Sequence, residues 1–531
     1  MGIEGFFSWL SGTHIIHNTR YSKETISQVL VDANAKIHEV AQRIIGYGDY
    51  EGKGKVNATS RDVLEAFREE IWRILDSISA KEYIFALDGV PPFAKITQQR
   101  ERRVTSQPII RDGKVIWDSL WISPYHPFMN DILDILEFEK ENTKTHNIRK
   151  YFNVDPYIAP KSWKRYIDEA ISDKDLSALN KYLKVPIKSI SELPPDISNI
   201  SKQDIIISSH KEPGEGEHKL MRMLDNTSKH DIIIMGNDSD MVILSLTQPK
   251  DGIFIQYYDR KLEKHFLIRK GDLVAYLKEY KIENIWDFIF ISLFVGNDFI
   301  KPTLQGLNTK QFLDNALKTY KNKPITMTKK REIITEREEE MRQGKEIFMI
   351  KKKDITYEMT INLKAIESFM DSLTIKDDYT ETFKYMNDIS QTYKKGSKSV
   401  NKDISNNLCY NWIEAVRWIL NYYVGAANVS KEWSFKYAYG PSILTLRSYV
   451  KEMNFQVNTE ILDDTQYLDI ERHYICIIPY RGLDIIPNSD HIYDQLFDMF
   501  PTDYKKIKEF HRRERLLMVP VPLHRIKALK L

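Results

Sequence analysis

At 531 residues the chain is too long for one typical core and implies roughly two to four domains, while 42% hydrophobic and 29% charged residues exclude a largely disordered polymer. Its two cysteines, Cys409 and Cys476, exclude a disulfide framework and a thiolate zinc centre, and no apolar run is long enough to span a membrane, so an intracellular, cytoplasmic protein without a membrane partner is expected. A net charge of +2 does not by itself announce a polyanion partner, although nine Lys or Arg stand against two Glu from Lys505 to Leu531.

Four short apolar runs, Val29–Asp32, Tyr83–Asp88, Ile205–Ile207 and Ile232–Met235, are separated by helix-like stretches and predict strands alternating with helices. The expected fold class is α/β, with a mostly parallel central sheet flanked by helices. A mainly helical insertion is expected over residues 130–200, within a first module spanning 1–375. The charged stretch 321–353 reads as an exposed helix or an elaborated connection, with no chemistry assigned to it. A polar linker is expected over 376–408, followed by an aromatic-rich, mainly helical second module over 409–531 that packs against the first.

Parallel sheets gather functional groups at the carboxyl ends of their strands, and here acids stand at those ends each time. The run Val29–Asp32 ends in Asp32, and Leu87-Asp88-Gly89 follows the second run. The third leads into Glu212-Pro213-Gly214-Glu215-Gly216-Glu217-His218-Lys219, and the fourth into Gly236-Asn237-Asp238-Ser239-Asp240. Asp298, in Val295-Gly296-Asn297-Asp298-Phe299, completes a set of seven carboxylates. Any one of them alone reads more readily as a turn residue, a helix cap or an ion-pair partner than as a ligand. Together they suggest a cation site, because uncompensated carboxylates about 4 Å apart repel by several kcal/mol at a partly buried position. Hard oxygen donors without cysteine suit Mg²⁺ or Mn²⁺, and two such ions can activate water and stabilise the leaving oxygen of a phosphodiester. Beyond Asp88, the residues Lys95, Gln99 and Arg102 or Arg103 recur at helical spacing. Such a face is ordinarily solvated; beside a metal cluster it can hold a terminal phosphate.

These motifs, in order and spacing, resemble those of the Xrn-type 5′→3′ exoribonucleases, a eukaryotic family within the FEN-like and PIN-like nucleases. The likeness runs from Met1-Gly2-Ile3 and Phe6-Phe7-Ser8-Trp9-Leu10 through Val31-Asp32-Ala33-Asn34 and Asp88-Gly89-Val90 to Gln98-Gln99-Arg100-Glu101-Arg102-Arg103. It resumes at Pro213–Lys219, Asp238-Ser239-Asp240 and Phe294–Phe299, and more weakly from Trp418 to Pro441. The resemblance implies that Asp32, Asp88, Glu215, Glu217, Asp238, Asp240 and Asp298 surround two Mg²⁺ or Mn²⁺ ions. It implies too that Lys95, Gln99, Arg102 and Arg103 receive an RNA 5′-monophosphate, and that His38 and Trp433 stack on the first base. The implied activity is RNA degradation, with single-stranded RNA hydrolysed from its 5′ end to nucleoside 5′-monophosphates by a compact form lacking the family's long C-terminal extension. A FEN-like DNA nuclease and a catalytically silent RNA-binding scaffold are the competing readings.

Overall fold

A computed structural model describes residues 2–18, 26–141, 204–259, 264–303, 308–339, 348–374, 398–426, 429–437, 440–452, 465–487, 489–496 and 521–529. In chain order the strands are β1 (Ile16–Asn18), β2 (Ile26–Asp32), β3 (Ala80–Ala86), β4 (Ile109–Arg111), β5 (Lys114–Trp117), β6 (Asp204–Ser208), β7 (Ile232–Met235), β8 (Ile253–Asp259), β9 (Lys264–Arg269), β10 (Thr326–Glu339) and β11 (Phe348–Ile361). Seven of these form one sheet in the order β1-β9-β8-β7-β2-β3-β6. Neighbours from β8 to β6 run parallel, and β9 and β1 close one edge in antiparallel register.

The helices used below are α1 (Phe6–Ser11), α2 (Ala33–Ile45), α3 (Ser60–Ser77), α4 (Phe93–Thr105), α5 (Pro127–Glu141), α6 (Gly216–Met223), α7 (Ser239–Thr247), α8 (Lys270–Glu279), α9 (Ile285–Ser292), α10 (Thr309–Thr319), α11 (Leu363–Ser372), α12 (Lys398–Val424), α13 (Ile443–Glu452), α14 (Ile470–Ile477), α15 (Ser489–Leu496) and α16 (Leu523–Ala528). Their apolar residues cover both faces of the sheet, which is why its strands read as unbroken apolar runs. Alternate strand residues separate the two cores. Leu30, Ile84, Ile232 and Ile234 join Phe6, Trp9, Phe288, Trp412 and Trp418 on one face. Val29, Val31, Tyr83, Phe85, Ile233 and Met235 join Val40, Phe67, Ile71 and Met129 on the other. A third cluster packs Phe93 and Ile96 of α4 against Tyr474, Ile475 and Ile477 of α14 and Ile526 of α16.

The expected four strands are present, and β1, β8 and β9 complete the sheet. The stretch 321–353 is corrected: most of it belongs to the antiparallel pair β10–β11, each strand 14 residues long. The β-branched residues Thr326, Thr328, Ile333, Ile334, Thr335, Ile350, Ile355, Thr356, Thr360 and Ile361 favour extended backbone, and their number outweighs the charge count on which the helix expectation rested. The base of this ribbon is fastened to the body. The buried Asp287 carboxylate of α9 accepts from the backbone of Ile325 (3.1 Å) and Thr326 (2.8 Å), from Thr326 Oγ1 (2.6 Å) and from the Tyr320 hydroxyl (2.5 Å). Asn421 of α12 pairs with both backbone groups of Met359 at 2.9 Å.

The linker expectation is corrected at its end, since α12 begins at Lys398 and runs through the last part of 376–408. Residues 375–397 lie outside the described residues, as do 142–200 of the expected insertion and 505–520 of the basic C-terminal stretch. Trp412, Ile413, Val416 and Trp418 of α12 are part of the core shared with the sheet. Among the described residues, no helix is long and apolar enough to cross a membrane.

Candidate active site

The acids gather because consecutive parallel strands end side by side. Asp32 closes β2 and caps α2, accepting from Ala35 N at 3.0 Å. Two residues on, Asn34 Oδ1 accepts the backbone N–H of Asp88, just past the end of β3 (3.0 Å). Asp88 Oδ1 in turn accepts from Gly216 N at 2.7 Å, at the first turn of α6. The loops after β3 and β6 pair through Gly89 N to Gly214 O (2.9 Å) and Gly214 N to Val90 O (2.8 Å). Any side chain at Gly89 would overlap the carbonyl of Glu212, so this close approach requires glycine. Lys219 ties the same strand ends together, its Nζ donating to Leu87 O (2.9 Å) and Ser209 O (2.8 Å).

Beyond β7, Asp238 caps α7 by accepting from Asp240 N at 3.1 Å, and Asp240 is buried. The start of the chain packs here. Gly2 has φ +48°, and a methyl group on it would collide with Ser239 Oγ, Asp238 Oδ1 and Asp240 Oδ1. Ile3 N donates to Ser239 Oγ at 2.6 Å. Asp298 stands in a turn fixed by Asn297 Oδ1, which accepts from Phe299 N (3.0 Å) and Ile300 N (3.2 Å).

Helix α4 brings cations to these acids. Lys95 pairs with Glu215, with Asp298 Oδ2 at 2.9 Å and with Glu217 at 3.8 Å, and Gln98 donates to Asp298 Oδ1. The other residues expected on the phosphate-binding face have separate partners. Gln99 Oε1 meets His473 Nε2 at 2.9 Å, Arg103 Nε donates to Ser123 Oγ at 3.1 Å, and Arg102 is exposed. Arg100 donates to the carbonyls of Cys476 (3.0 Å) and Ile478 (3.2 Å), fixing α14 to α4. His38 is half-buried on α2. Trp433 is buried and stacks on Trp418 at 5.4 Å, which stacks on Tyr422 at 5.0 Å, so its surroundings are those of a core aromatic.

The electrostatics are those of under-neutralised like charges. Burial, then Asp88 and Glu217, push the Asp32 carboxyl up to about 8. Burial raises Glu215 to about 8 against the opposing pull of Lys95, and raises Glu217 as well. Burial followed by Asp298 lifts Asp240 to about 7. Asp298 is desolvated too, yet Lys95 holds it below the usual carboxylate range. At the far end of α4, burial and then Arg102 lower Arg103 to about 10.

Asp240 Oδ1 is buried without a hydrogen-bond partner, and the donors are hard oxygens, so the residues fit a divalent cation in chemistry. Among the described residues no three Asp, Glu, His or Cys side chains surround one point closely enough to hold an ion as they stand. The Lys95 ammonium provides positive charge among Glu215, Glu217 and Asp298. Sequence reasoning missed Gln98, Lys219, Tyr422 and Tyr423. Gln98 was within reach, being one helical turn from Lys95; the tyrosines carried no signal beyond an aromatic-rich helix.

Residues 1–256 match the model of the XRN 5′-3′ exonuclease N-terminus, and residues 279–407 match that of the Xrn1 helical domain. The chain is 23% identical over 474 residues to the 5′-3′ exoribonuclease 2 of Candida albicans, covering 72% of this chain and 40% of that protein. It is 26% identical over 368 residues to the 5′-3′ exoribonuclease 1 of Saccharomyces cerevisiae, covering 60% and 20% respectively. Against the human 5′-3′ exoribonuclease 1 the identity is 23% over 359 residues, covering 58% and 18%. The alignments thus span well under half the length of these relatives.

Proposed function

The chain belongs to the XRN 5′-3′ exonuclease family, and from that premise we propose that it hydrolyses single-stranded, 5′-monophosphorylated RNA from the 5′ end, releasing nucleoside 5′-monophosphates. The observation carrying this reading is the crowd of under-neutralised carboxylates at the ends of β2, β3, β6 and β7, with Lys95 of α4 set among them. Asp32, Asp88, Glu215, Glu217, Asp238, Asp240 and Asp298 would hold two Mg²⁺ or Mn²⁺ ions. When bound, such ions supply the charge that activates water and stabilises the leaving oxygen. Lys95 balances Glu215 and Asp298 and holds Asp298 below the usual carboxylate range. Arg102 and Arg103, repelling one another at the end of α4, form the anion-seeking part of a pocket for the terminal phosphate, with Gln99 beside them. His38 and Trp433 are proposed to stack on the first base, a sequence-tolerant contact suited to an enzyme that accepts every nucleotide.

The test is incubation of the full chain and Mg²⁺ with matched RNAs carrying a 5′-monophosphate, triphosphate, cap or hydroxyl, together with single-stranded and flap DNA. Mononucleotides should accumulate fastest from the monophosphate RNA. The hydroxyl substrate forfeits charge-assisted bonds worth about 1.5–3 kcal/mol each, so its rate should fall at least about tenfold. Equal rates at all four 5′ ends would exclude the phosphate pocket. Preference for flap DNA would make the chain a structure-specific nuclease, and RNA binding without hydrolysis a scaffold.

A further inference from the structure

We propose, resting on that reading, that Tyr422 and Tyr423 are positioning residues through which the end of α12 fixes two carboxylate loops. Both residues lie beyond the spans 1–256 and 279–407 that match the family models. Successive residues on a helix point about 100° apart, so two neighbours can reach two different loops. The Tyr422 hydroxyl lies 3.3 Å from Glu215 Oε2 and donates to it. Asn297 Nδ2 donates to the Tyr423 hydroxyl at 3.1 Å. Because the other end of the Asn297 amide accepts from Phe299 N and Ile300 N, fixing its nitrogen also fixes the turn that presents Asp298. Glu215 and Asp298 are two of the carboxylates paired with Lys95, and each therefore has a phenol supporting its own loop.

The rings themselves have little freedom. Tyr422 is stacked on Trp418 (5.0 Å) and lies 4.1 Å from the His218 ring, and its hydroxyl shares a hydrogen bond with Tyr467. Phe299, one residue after Asp298, meets both tyrosine rings edge-on. A pure packing role would need only the rings; a positioning role needs the hydroxyls. Phenylalanine separates the two, since it keeps the ring and deletes one oxygen.

The experiment compares the full chain with Tyr422→Phe, Tyr423→Phe and the double variant. It reads backbone amide exchange over 212–219 and 296–300, Mn²⁺ affinity by calorimetry, ion-free melting temperature, and kcat and KM on 5′-monophosphorylated RNA. Exchange should quicken at 212–219 in Tyr422→Phe and at 296–300 in Tyr423→Phe, with Mn²⁺ bound about tenfold more weakly. The kcat should fall by a similar factor while KM for RNA and the ion-free melting temperature stay at parental values. Parental exchange at both loops would overturn the proposal, and so would a lowered melting temperature with exchange quickened throughout, the mark of packing alone. A parent chain that hydrolyses no RNA would remove the functional reading, and loop exchange would still decide whether the phenols hold their loops.

Discussion

Replacing Asp240 by Asn, or Glu217 by Gln, should slow RNA hydrolysis by roughly 100-fold or more while leaving RNA binding within a few-fold of the parent. Each change keeps the side-chain shape and removes one negative charge that would face an ion. Neither removes a cation from α4, so binding and chemistry should separate. Near-parental turnover by both variants at saturating Mg²⁺ would remove these acids from the catalytic set. The same Asp240 substitution should reveal a cost of function. A carboxyl raised from 3.8 to about 7 by burial and by Asp298 is easier to charge in the unfolded chain than in the fold. Its ionisation therefore destabilises the ion-free protein as pH rises from about 4, and the penalty is complete above about 7. Without ions, D240N should melt above the parent at pH 8, and the difference should vanish below pH 4. A variant that melts at or below the parent at pH 8 would show that Asp240 is not strained.

Lys95→Met should have the opposite effect on stability and is expected to be equally damaging to turnover. Burial alone would drive the Lys95 proton off; Asp298, Glu215 and Glu217 more than reverse this and hold its pKa well above the ordinary value. Removing the ammonium leaves those buried carboxylates facing one another, and breaking a buried pair in this way costs about 3–5 kcal/mol. The ion-free variant should therefore melt well below the parent at neutral pH. Millimolar Mg²⁺ should recover part of the loss, because a divalent cation supplies charge to the same acids. Equal melting of variant and parent without ions would mean that Lys95 does not hold the acids together.

How much of this was readable in advance depends on the range of the interactions involved. The strands β2, β3, β6 and β7 announced themselves because a parallel strand buried on both faces is an unbroken apolar run, and all the acids but Asp298 followed because they end those runs or stand in the segments that leave them. β1, β8 and β9 escaped notice, as β1 has only three residues while Gln256 and His265 break the apolar runs of β8 and β9. The β10–β11 ribbon was hidden by its charge, although its β-branched residues already spoke for strands. What no local pattern could give was the destination of α4. Lys95, Gln98 and Gln99 lie within five residues, yet the first two face acids from distant loops and the third faces His473. Asp287, like Gln98, was overlooked despite a legible signal, since an acid inside Ile285-Trp286-Asp287-Phe288-Ile289 must be buried and must find donors.

The contacts of α4 with α14 also set an order of events during synthesis. The seven acids, and the helix that carries Lys95, have all left the ribosome well before His473, Cys476 and Ile478 are made. Arg481, which grips Asp118 and the carbonyl of Arg103, comes later still. A nascent chain therefore holds its full complement of acids while the helix beside them still lacks the residues that fasten it. Completion of the site waits on translation of residues 473–481, so a copy that has not reached them cannot have the finished arrangement while still tethered to the message that encodes it.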